Sequence, residues 1–308
     1  MKKLIIALGL LLCVGTGAVW SVKRIEAPAL GRGGGGSSSQ AGHGGNRPSH
    51  KVDVIYDPKP QTVKKEVKDY PKNENINGFD VTWADDVSNA DHKVLANLIG
   101  NMVYVKGGGF IMGSEEYMNT VPETRKNVHA FFMGKYEVTQ KEWKAVMNGV
   151  NPSNNRGDNL PVDQVSYDDC QLFIKRLNSK TGLNFRLPSE LEWEYAAKGG
   201  KKSRNYKFSG SDYAANVGWT ANNSGGETHP VGQLAPNELG LYDMTGNVLE
   251  WVSDRYSFNY SEPNNNEQFV VRGGNYYWAD PNCSNYFRYS SYPEDRWMDT
   301  GLRLVAIR

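Results

Sequence analysis

Short apolar runs, separated by glycines and polar turns, mark the first part of the folded chain. The stretch "MVYVKGGGFIMGS", which begins at Met102, predicts two short strands around a glycine turn. "NVHAFFMGKYEV" follows from Asn127 and predicts one strand whose side chains alternate between two faces. Elements this short, with so much glycine between them, favour a turn-rich fold over a helical bundle.

Three helix starts carry capping-box residues, in which a Ser or Thr and an acidic residue three positions later satisfy each other's backbone N–H groups. The pairs are Thr139 with Glu142, Ser166 with Asp169, and Ser189 with Glu192. The third helix is predicted to end at Gly199–Gly200, and the chain then returns to short strands and loops. The order of elements predicts an α+β fold with much irregular structure.

Spacing also predicts which helical side chains are buried. One helical stripe contains Cys170, Phe173, Ile174 and Leu177. We expect this stripe, with Trp143 and Trp193, in the core, and we expect Glu192 and Glu194 at a helix cap and on a solvent face.

The N-terminal region has a different pattern. Residues 1–22 contain two lysines and then an uncharged apolar stretch, which predicts a secretory signal; an uncleaved membrane anchor is the alternative. Residues 23–75 are rich in Gly, Ser and Pro and predict a disordered flexible tether, spanning on the order of 40 Å. The folded domain is predicted over residues 76–308. We therefore expect an exported protein of the periplasm or cell surface, with membrane contact only through its N-terminus.

Composition narrows the function. The formal net charge is +1, so no global field attracts nucleic acid, and we expect no nucleic-acid partner. If residues 1–22 are removed, Cys170 and Cys283 remain, which permits one disulfide at most. We find no zinc-spaced ligands, no phosphate-binding loop and no serine-nucleophile elbow.

Several motifs together resemble the formylglycine-generating enzyme, or sulfatase-modifying factor, family. They are "GGGFIMGS", "YEVTQKEWKAVM", "LPVDQVSYDD", "FRLPSELEWEYAAKGG", "HPVGQLAPNELGLYDMTGNVLEWVSD", "VVRGGNYY" and "GLRLV". The resemblance covers about Met102 to Arg308. It implies the loop-rich α+β architecture related to C-type lectins, but function depends on the site and not on the fold.

The resemblance also implies where oxidase chemistry would lie. Enzymes of this family hold Cu(I) between two cysteines after the "RGG" motif, and a soft monovalent copper ion suits two thiolates. In this sequence the second cysteine corresponds to Cys283, whereas the first corresponds to Trp278. We therefore do not expect copper, and Cys283 is only a residual catalytic candidate, with His129 or His229 as the base that the fold would have to supply.

The segment "GNVLEW" resembles the family's structural calcium site. Asn247 would contribute a side-chain oxygen, Val248 a carbonyl and Glu250 a carboxylate, which are the hard ligands that Ca²⁺ prefers. The alternative is a turn in which Glu250 forms a salt bridge.

A second candidate site is the C-terminal surface. Between Asn275 and Asp299, 14 of 25 residues are Asn, Tyr, Ser or Asp, a composition typical of adaptable binding surfaces. The predicted ligand-binding residues are Asn275, Tyr276, Tyr277, Trp278, Asp280, Asn282, Asn285, Tyr286, Tyr289, Tyr292 and Trp297. In the family this segment lines the substrate groove. The segment also resembles the variable region of proteins diversified by retroelements that mutate adenines; ordinary surface loops are the alternative.

Three functional hypotheses follow from these residues. The first is an exported, tethered, non-catalytic protein that recognises a protein or glycan through residues 275–299. The second is an oxidoreductase of the formylglycine-generating type that acts on sulfatase cysteines. The third is a structural component of a cell-envelope assembly.

Overall fold

The computed structural model describes residues 66–263 and 266–308, which hold four helices and twelve strands. The helices are α1 (Asn89–Gly100), α2 (Gln140–Val146), α3 (Tyr167–Thr181) and α4 (Glu190–Ala197). The strands are β1 (Asn73–Ile76), β2 (Phe79–Thr82), β3 (Met102–Val105), β4 (Gly108–Met112), β5 (Thr124–Val128), β6 (Phe131–Gly134), β7 (Phe185–Arg186), β8 (Leu249–Arg255), β9 (Phe269–Arg272), β10 (Arg288–Ser291), β11 (Thr300–Leu302) and β12 (Val305–Ala306). This is an α+β fold with long connecting loops, as the sequence predicts.

Two four-stranded sheets and two hairpins make up the β-structure. One sheet has the order β10-β9-β8-β11, in which β11 runs parallel to β8. The other has the order β3-β6-β12-β7, and β1-β2 and β4-β5 are separate antiparallel pairs. No described helix is both long and apolar enough to cross a bilayer.

All three predicted capping boxes form. In each, the Ser or Thr hydroxyl accepts from the backbone N–H three residues on, while the acidic side chain accepts from the backbone N–H of the cap. Gly199 follows α4 with a φ of 87°, in the left-handed region that favours glycine. Helix α1 carries a similar signal, since the Ser88 hydroxyl accepts from Asp91 N, but the apolar pattern there did not reveal it.

The long strand predicted from Asn127 is in fact two strands. The chain leaves β5 at Val128 and enters β6 at Phe131, because the two strands pair with different partners, β4 and β3. The connection between β5 and β6 passes directly against Gly107, which has no side chain. A Cβ on Gly107 would lie 2.5 Å from Val128 O and 2.8 Å from Ala130 N. The predicted alternation of sides does hold in β6: Phe132 faces one hydrophobic cluster and Phe131 and Met133 face another, so all three are buried.

Two hydrophobic clusters lie on opposite faces of β8 and β9. Leu249, Trp251 and Val271 face the first cluster, which also buries α1 to α3 and contains the stacked rings of Trp143 and Phe173, 4.8 Å apart. Val252 and Val270 face the second, where they meet α4 and the β3-β6-β12-β7 sheet. The predicted stripe of Cys170, Phe173, Ile174 and Leu177 is buried in the first cluster.

The folded part begins before the predicted boundary. Strand β1 starts at Asn73, and the Tyr70 ring stacks on His92 with centroids 3.9 Å apart. The ordered domain therefore takes in residues that the composition had assigned to the tether. The signal peptide or anchor at residues 1–22 and most of the tether lie outside the described residues.

Candidate functional site

Cys283 ends a single 3-10 turn, Asp280–Cys283, and its thiol is buried. The sulfur lies against the backbone of Gly274, so closely that a Cβ on Gly274 would be 2.3 Å from Sγ. The thiol donates to Asn275 O over 3.7 Å. Burial raises the pKa of Cys283 to about 12, so the metal-free side chain is a neutral thiol at neutral pH and not the nucleophilic thiolate.

The two histidines that could have served as a base face elsewhere. The His229 ring stacks on Trp219 with centroids 3.8 Å apart, and its Nε2 is 2.7 Å from Ser224 O. His129 is exposed at the end of β5. Cys170 is also a free thiol, buried in the core, so the conceivable disulfide to Cys283 is not formed.

Trp278 belongs to an aromatic cluster. Its half-buried indole meets Phe287 edge-on, with centroids 5.7 Å apart, and meets Tyr289 in the same way at 5.3 Å. A bulky ring thus stands at the position that the motif resemblance assigns to the other copper-binding cysteine. The residues present do not fit a Cu(I) site of two thiolates, since the other described cysteine, Cys170, is buried in the first hydrophobic cluster.

Side chains from outside the C-terminal segment fix its backbone. Arg272 donates to the carbonyls of Asn285 and Tyr286, at 2.9 and 3.0 Å. Ser224 Oγ donates to Tyr276 O, and Tyr117 OH donates to Pro281 O over 3.0 Å. The path of this segment therefore depends mainly on the surrounding framework.

Four of the predicted ligand-binding residues are buried, and two of them bind protein groups. The buried side chains are those of Asn275, Tyr276, Asn285 and Tyr286. Asn275 Nδ2 donates to Asp299 Oδ2 over 2.7 Å, and Asn285 Nδ2 donates to Tyr206 O over 3.0 Å. In this conformation the two amides bind protein groups and hold the framework, which the polar composition of the segment alone did not predict.

The remaining predicted residues do reach the surface. Tyr277 and Tyr292 are exposed, and the half-buried ones are Trp278, Asp280, Asn282, Tyr289 and Trp297. Two of the half-buried side chains are already anchored: Asp280 Oδ1 accepts from Thr220 Oγ1 over 2.6 Å, and Trp297 Nε1 donates to Ser291 Oγ over 2.7 Å.

The structure adds two residues to this surface that the sequence did not suggest. Tyr117 meets Phe287 edge-on at 5.4 Å, and the neighbouring Met118 is 76% exposed. They come from the loop between β4 and β5, more than 150 residues away along the chain. No local pattern could have linked that loop to Trp278. We call Trp278, Asn282, Phe287, Tyr289, Tyr117 and Met118 the aromatic surface.

The predicted calcium ligands are engaged with protein groups. Glu250 Oε1 accepts from Arg303 over 2.6 Å, and Glu250 Oε2 accepts from Trp193 Nε1, also over 2.6 Å. Asn247 Oδ1 accepts from His229 N over 3.0 Å. These residues do not fit Ca²⁺ here, because a buried guanidinium already neutralises Glu250, as in the salt-bridge alternative.

Two N–H groups of the predicted calcium segment point at the carboxyl group of Glu137. Val248 N and Asn247 Nδ2 donate to the two oxygens of Glu137, over 3.1 and 2.7 Å. Burial, together with Asp243 and Glu250, raises the pKa of Glu137 well above its ordinary value. The segment therefore turns hydrogen-bond donors towards a carboxyl group, which is opposite to what a cation site requires.

Two buried ion pairs connect helix α4 to strands β9 and β10. Arg272 lies 2.7 Å from Glu194, and Arg288 lies 2.7 Å from Glu190; all four side chains are buried. Although burial opposes its ionisation, Arg272 and Lys198 hold the pKa of Glu194 below its ordinary value. The prediction that Glu194 faces solvent is wrong, whereas Glu192 does cap the helix.

Another buried acid, Asp163, lies near the C-terminal segment. Asp163 Oδ1 accepts from Asn154 N over 2.9 Å, but Oδ2 has no hydrogen-bond partner among the described residues. Burial and the neighbouring Asp299 raise the pKa of Asp163 to about 8. Asp299 in turn accepts from Asn275 Nδ2 and from Tyr277 OH, so Asp163 lies next to the hydrogen bonds that hold the start of the C-terminal segment.

A family model described as the sulfatase-modifying factor enzyme 1-like domain matches residues 89–307. The chain belongs to this family. The likeness inferred from the motifs is thereby confirmed.

The proteins to which this sulfatase-modifying-factor-like chain is similar have names that indicate different functions. It is 33% identical over 226 residues to the chaperone protein LppX of Paenibacillus barcinonensis, covering 56% of this chain and 78% of that protein. It is 32% identical over 170 residues to the formylglycine-generating enzyme of Streptomyces coelicolor, covering 47% of this chain. The match spans about half, 52%, of that enzyme.

Two solved structures support the fold of the sulfatase-modifying-factor-like domain. Treponema denticola variable protein 1 superposes with a TM-score of 0.61 at 26% identity, covering 76% of this chain and 98% of that one. PvdO from Pseudomonas aeruginosa superposes with a TM-score of 0.59 at 26% identity, covering 67% and 94%.

Proposed function

We propose that this chain is an exported, tethered binding protein that recognises a protein or glycan through its aromatic surface, and that it does not form formylglycine. One observation carries the proposal: Cys283 Sγ is buried against Gly274, and the residue that the motif resemblance aligns with the other cysteine is Trp278. Copper held by two thiolates cannot form from these groups.

The aromatic surface has the chemistry of a recognition site. Half-buried rings of Trp278 and Tyr289 offer large contact areas with little side-chain entropy to lose, and Asn282 offers amide hydrogen bonds. Aromatic side chains of this kind commonly dominate the energy of binding interfaces. Because outside residues hold the backbone, the rings are presented in one arrangement before a ligand arrives.

A capture experiment tests recognition. The full chain is used to retrieve ligands from a cell-envelope extract, in parallel with Trp278→Ala and with Tyr104→Ala, which removes a 56% exposed ring on strand β3. We expect capture by the wild type and by Tyr104→Ala, with at least tenfold less by Trp278→Ala. A complex that persists in all three would favour a structural role in an envelope assembly.

A copper assay tests the absence of oxidase activity. The protein is loaded with Cu(I) under reducing conditions and then incubated with a cysteine-containing sulfatase peptide in air. We expect neither stoichiometric copper nor oxidation of the peptide cysteine. Tight binding of one copper ion with peptide oxidation would restore the enzymatic hypothesis.

The likeness to a variable protein supports a finer version of the proposal, in which the surface positions are diversified. Buried Asn275 and Asn285 hold the framework, so diversity is compatible with the fold only at exposed or half-buried positions such as 278, 282 and 289. Sequencing of the flanking DNA tests this. A reverse transcriptase gene and an imperfect copy of the segment, differing at those codons, are expected; without them this version fails.

A further inference from the structure

A cleft with a volume of about 400 Å³ lies along one side of helix α3. The α3 residues that line it are spaced as one helical stripe: Leu172, Lys175, Arg176, Ser179 and Lys180. The loop after β2 contributes Ala84 and Asp86, and the end of α2 with the turn after it contributes Val146 and Asn148. None of these residues belongs to the aromatic surface, so the cleft is separate from the candidate site.

The cleft carries an excess of positive charge. Lys175, Arg176 and Lys180 line it, whereas Asp86 is the one acid among its described lining residues. Lys180 pairs with Asp86 over 2.9 Å, and the Lys180 side chain is only 8% exposed. Lys175 is exposed and has no ion pair within the described part of the chain. The ammonium group of Lys175 is therefore open to a negatively charged partner.

Apolar side chains lie beside these cations. Ala84 and Leu172 are half-buried and pack against the first hydrophobic cluster, to which Val146 belongs. Arg176 Nη1 lies 4.0 Å from Met147 Sδ, so the guanidinium lies near the end of α2. A partner that suits both features has negative charge and apolar groups close together. An inorganic anion alone would leave the apolar lining uncovered.

The described part of the chain begins next to this cleft. Glu66 Oε2 accepts from Asn89 N over 3.1 Å, and Lys68 Nζ donates to Val87 O. Val87 directly follows Asp86, which lines the cleft. The residues that precede Glu66 are therefore attached within reach of the cleft.

The sequence "VDVIYD", residues 52–57, has the chemistry that this cleft requires. Asp53 and Asp57 flank three apolar residues, and they are the only acids between positions 27 and 65. Nine positions separate Asp57 from Glu66, a length that spans up to about 30 Å when extended. The α3 stripe is only about 12 Å long, so the segment can reach all of it.

We propose that residues 52–57 of this chain dock in the cleft along α3. The carboxylates of Asp53 and Asp57 would pair with the basic side chains of α3, and the apolar residues between them would cover Leu172 and Val146. Exposed ion pairs contribute little alone, so burial of the apolar side chains would supply most of the affinity. Because the segment is attached beside the cleft, its effective concentration there is high and a weak interaction suffices. The tether would then leave the domain along α3, a role that goes beyond the proposed function.

Proteolysis of the full chain tests docking, because chymotrypsin cleaves after accessible tyrosines and a docked Tyr56 is shielded. Mass spectrometry gives the rate of cleavage after Tyr56, which is divided by the rate for a synthetic peptide of the same sequence. We expect cleavage in the wild-type chain to be at least ten times slower than in the peptide. A wild-type chain cleaved as fast as the peptide would show that the proposal is wrong.

Matched variants test the place. Lys175→Glu/Arg176→Glu should be cleaved after Tyr56 about as fast as the peptide. Lys202→Glu/Arg204→Glu makes the same charge change at two exposed residues of another loop and should keep the slow cleavage. Equal acceleration in both variants would mean general charge attraction and would overturn the assignment.

Charge reversal on the segment identifies the occupant of the cleft. Asp53→Lys/Asp57→Lys should release the segment, and its combination with Lys175→Glu/Arg176→Glu should restore slow cleavage. A combination cleaved as fast as either parent would overturn the pairing. Binding to phosphatidylglycerol vesicles that is lost in Lys175→Glu/Arg176→Glu but unchanged in Asp53→Lys/Asp57→Lys would assign the cleft to an anionic lipid surface instead. Trp278→Ala should leave cleavage slow, so failure here and failure of the capture experiment are separate results.

Discussion

A buried cysteine has a different chemistry from an exposed one, and Cys283 shows the difference at the scale of a residue. Its sulfur packs on Gly274 and donates to a carbonyl, so the neutral thiol is the stable form. The same feature makes the residue testable, because alkylating reagents attack the thiolate.

We expect Cys283 in the folded protein to resist iodoacetamide at pH 8, with a rate at least a hundredfold below that of the urea-unfolded chain. The reason is its raised pKa of about 12 and its burial. Peptide mass spectrometry of the fragment with Cys283 measures the rate. Rapid labelling in the folded state would contradict the structural role given to this thiol.

Asp163 predicts a pH dependence of stability. Its pKa is about 8 in the folded protein, against an ordinary value of 3.8 that applies once the chain unfolds, so folding takes up a proton between these values. The free energy of unfolding should therefore fall as pH rises from about 4 to about 8, by up to about 1.4 kcal/mol per pH unit from this group. Urea unfolding at pH 5, 6 and 7 measures the slope.

Asp163→Asn should make the free energy of unfolding less dependent on pH, by the contribution of one proton or about 1.4 kcal/mol per pH unit, because the amide does not titrate. The exposed acid Asp158 serves as the control, and Asp158→Asn should leave the slope unchanged. Identical slopes in wild type and Asp163→Asn would show that Asp163 is ionised in the fold.

At the scale of the element, α4 is fastened to the C-terminal strands by buried charge. Arg272→Met removes the buried cation beside Glu194, which keeps only the partly exposed Lys198 at 2.8 Å as an ion-pair partner, and removes the donors to Asn285 O and Tyr286 O. We expect a loss of about 3–5 kcal/mol in the free energy of unfolding. Urea titration followed by tryptophan fluorescence measures it.

Arg186→Met is the matched control for this prediction. Arg186 pairs with Glu192 at 2.6 Å, but its side chain is 39% exposed. The same substitution should therefore cost about 1 kcal/mol or less. Comparable losses at the two positions would mean that burial of the Arg272 pair is not what matters.

Local signals predicted the elements better than the site. The capping boxes at Thr139, Ser166 and Ser189 lie within four residues each, so the sequence alone predicted those helix starts. By contrast, the break between β5 and β6 depends on the partners that the two strands find elsewhere. A short window of sequence does not show which distant strand a segment will pair with.

The same limit explains the errors at the site. The substitution of Trp278 for a thiol was visible in the motif, and it remains the basis of the proposed function. The burial of Asn275 and Asn285 depends on Asp299 and on the 201–207 loop, which approach only in the folded chain.

At the scale of the whole molecule, strand β12 joins segments that lie far apart along the chain. Val305 pairs with Met133 of β6 on one side and with Arg186 of β7 on the other. Deletion of residues 305–308 should therefore remove the cooperative thermal transition, whereas deletion of 307–308 should retain it with a small loss. Circular dichroism on heating distinguishes the outcomes, and a cooperative transition in the longer deletion would contradict the central role of β12.

This position of β12 sets a time at which folding can finish. Strands β6 and β7 lie about 50 residues apart along the chain and are joined in the sheet only through β12, so the β3-β6-β12-β7 sheet closes when residues 305 and 306 insert between them. Contacts between segments so distant in sequence form slowly, because the loop between them must be ordered first. We therefore expect the insertion of β12 to limit the rate at which this half of the domain folds.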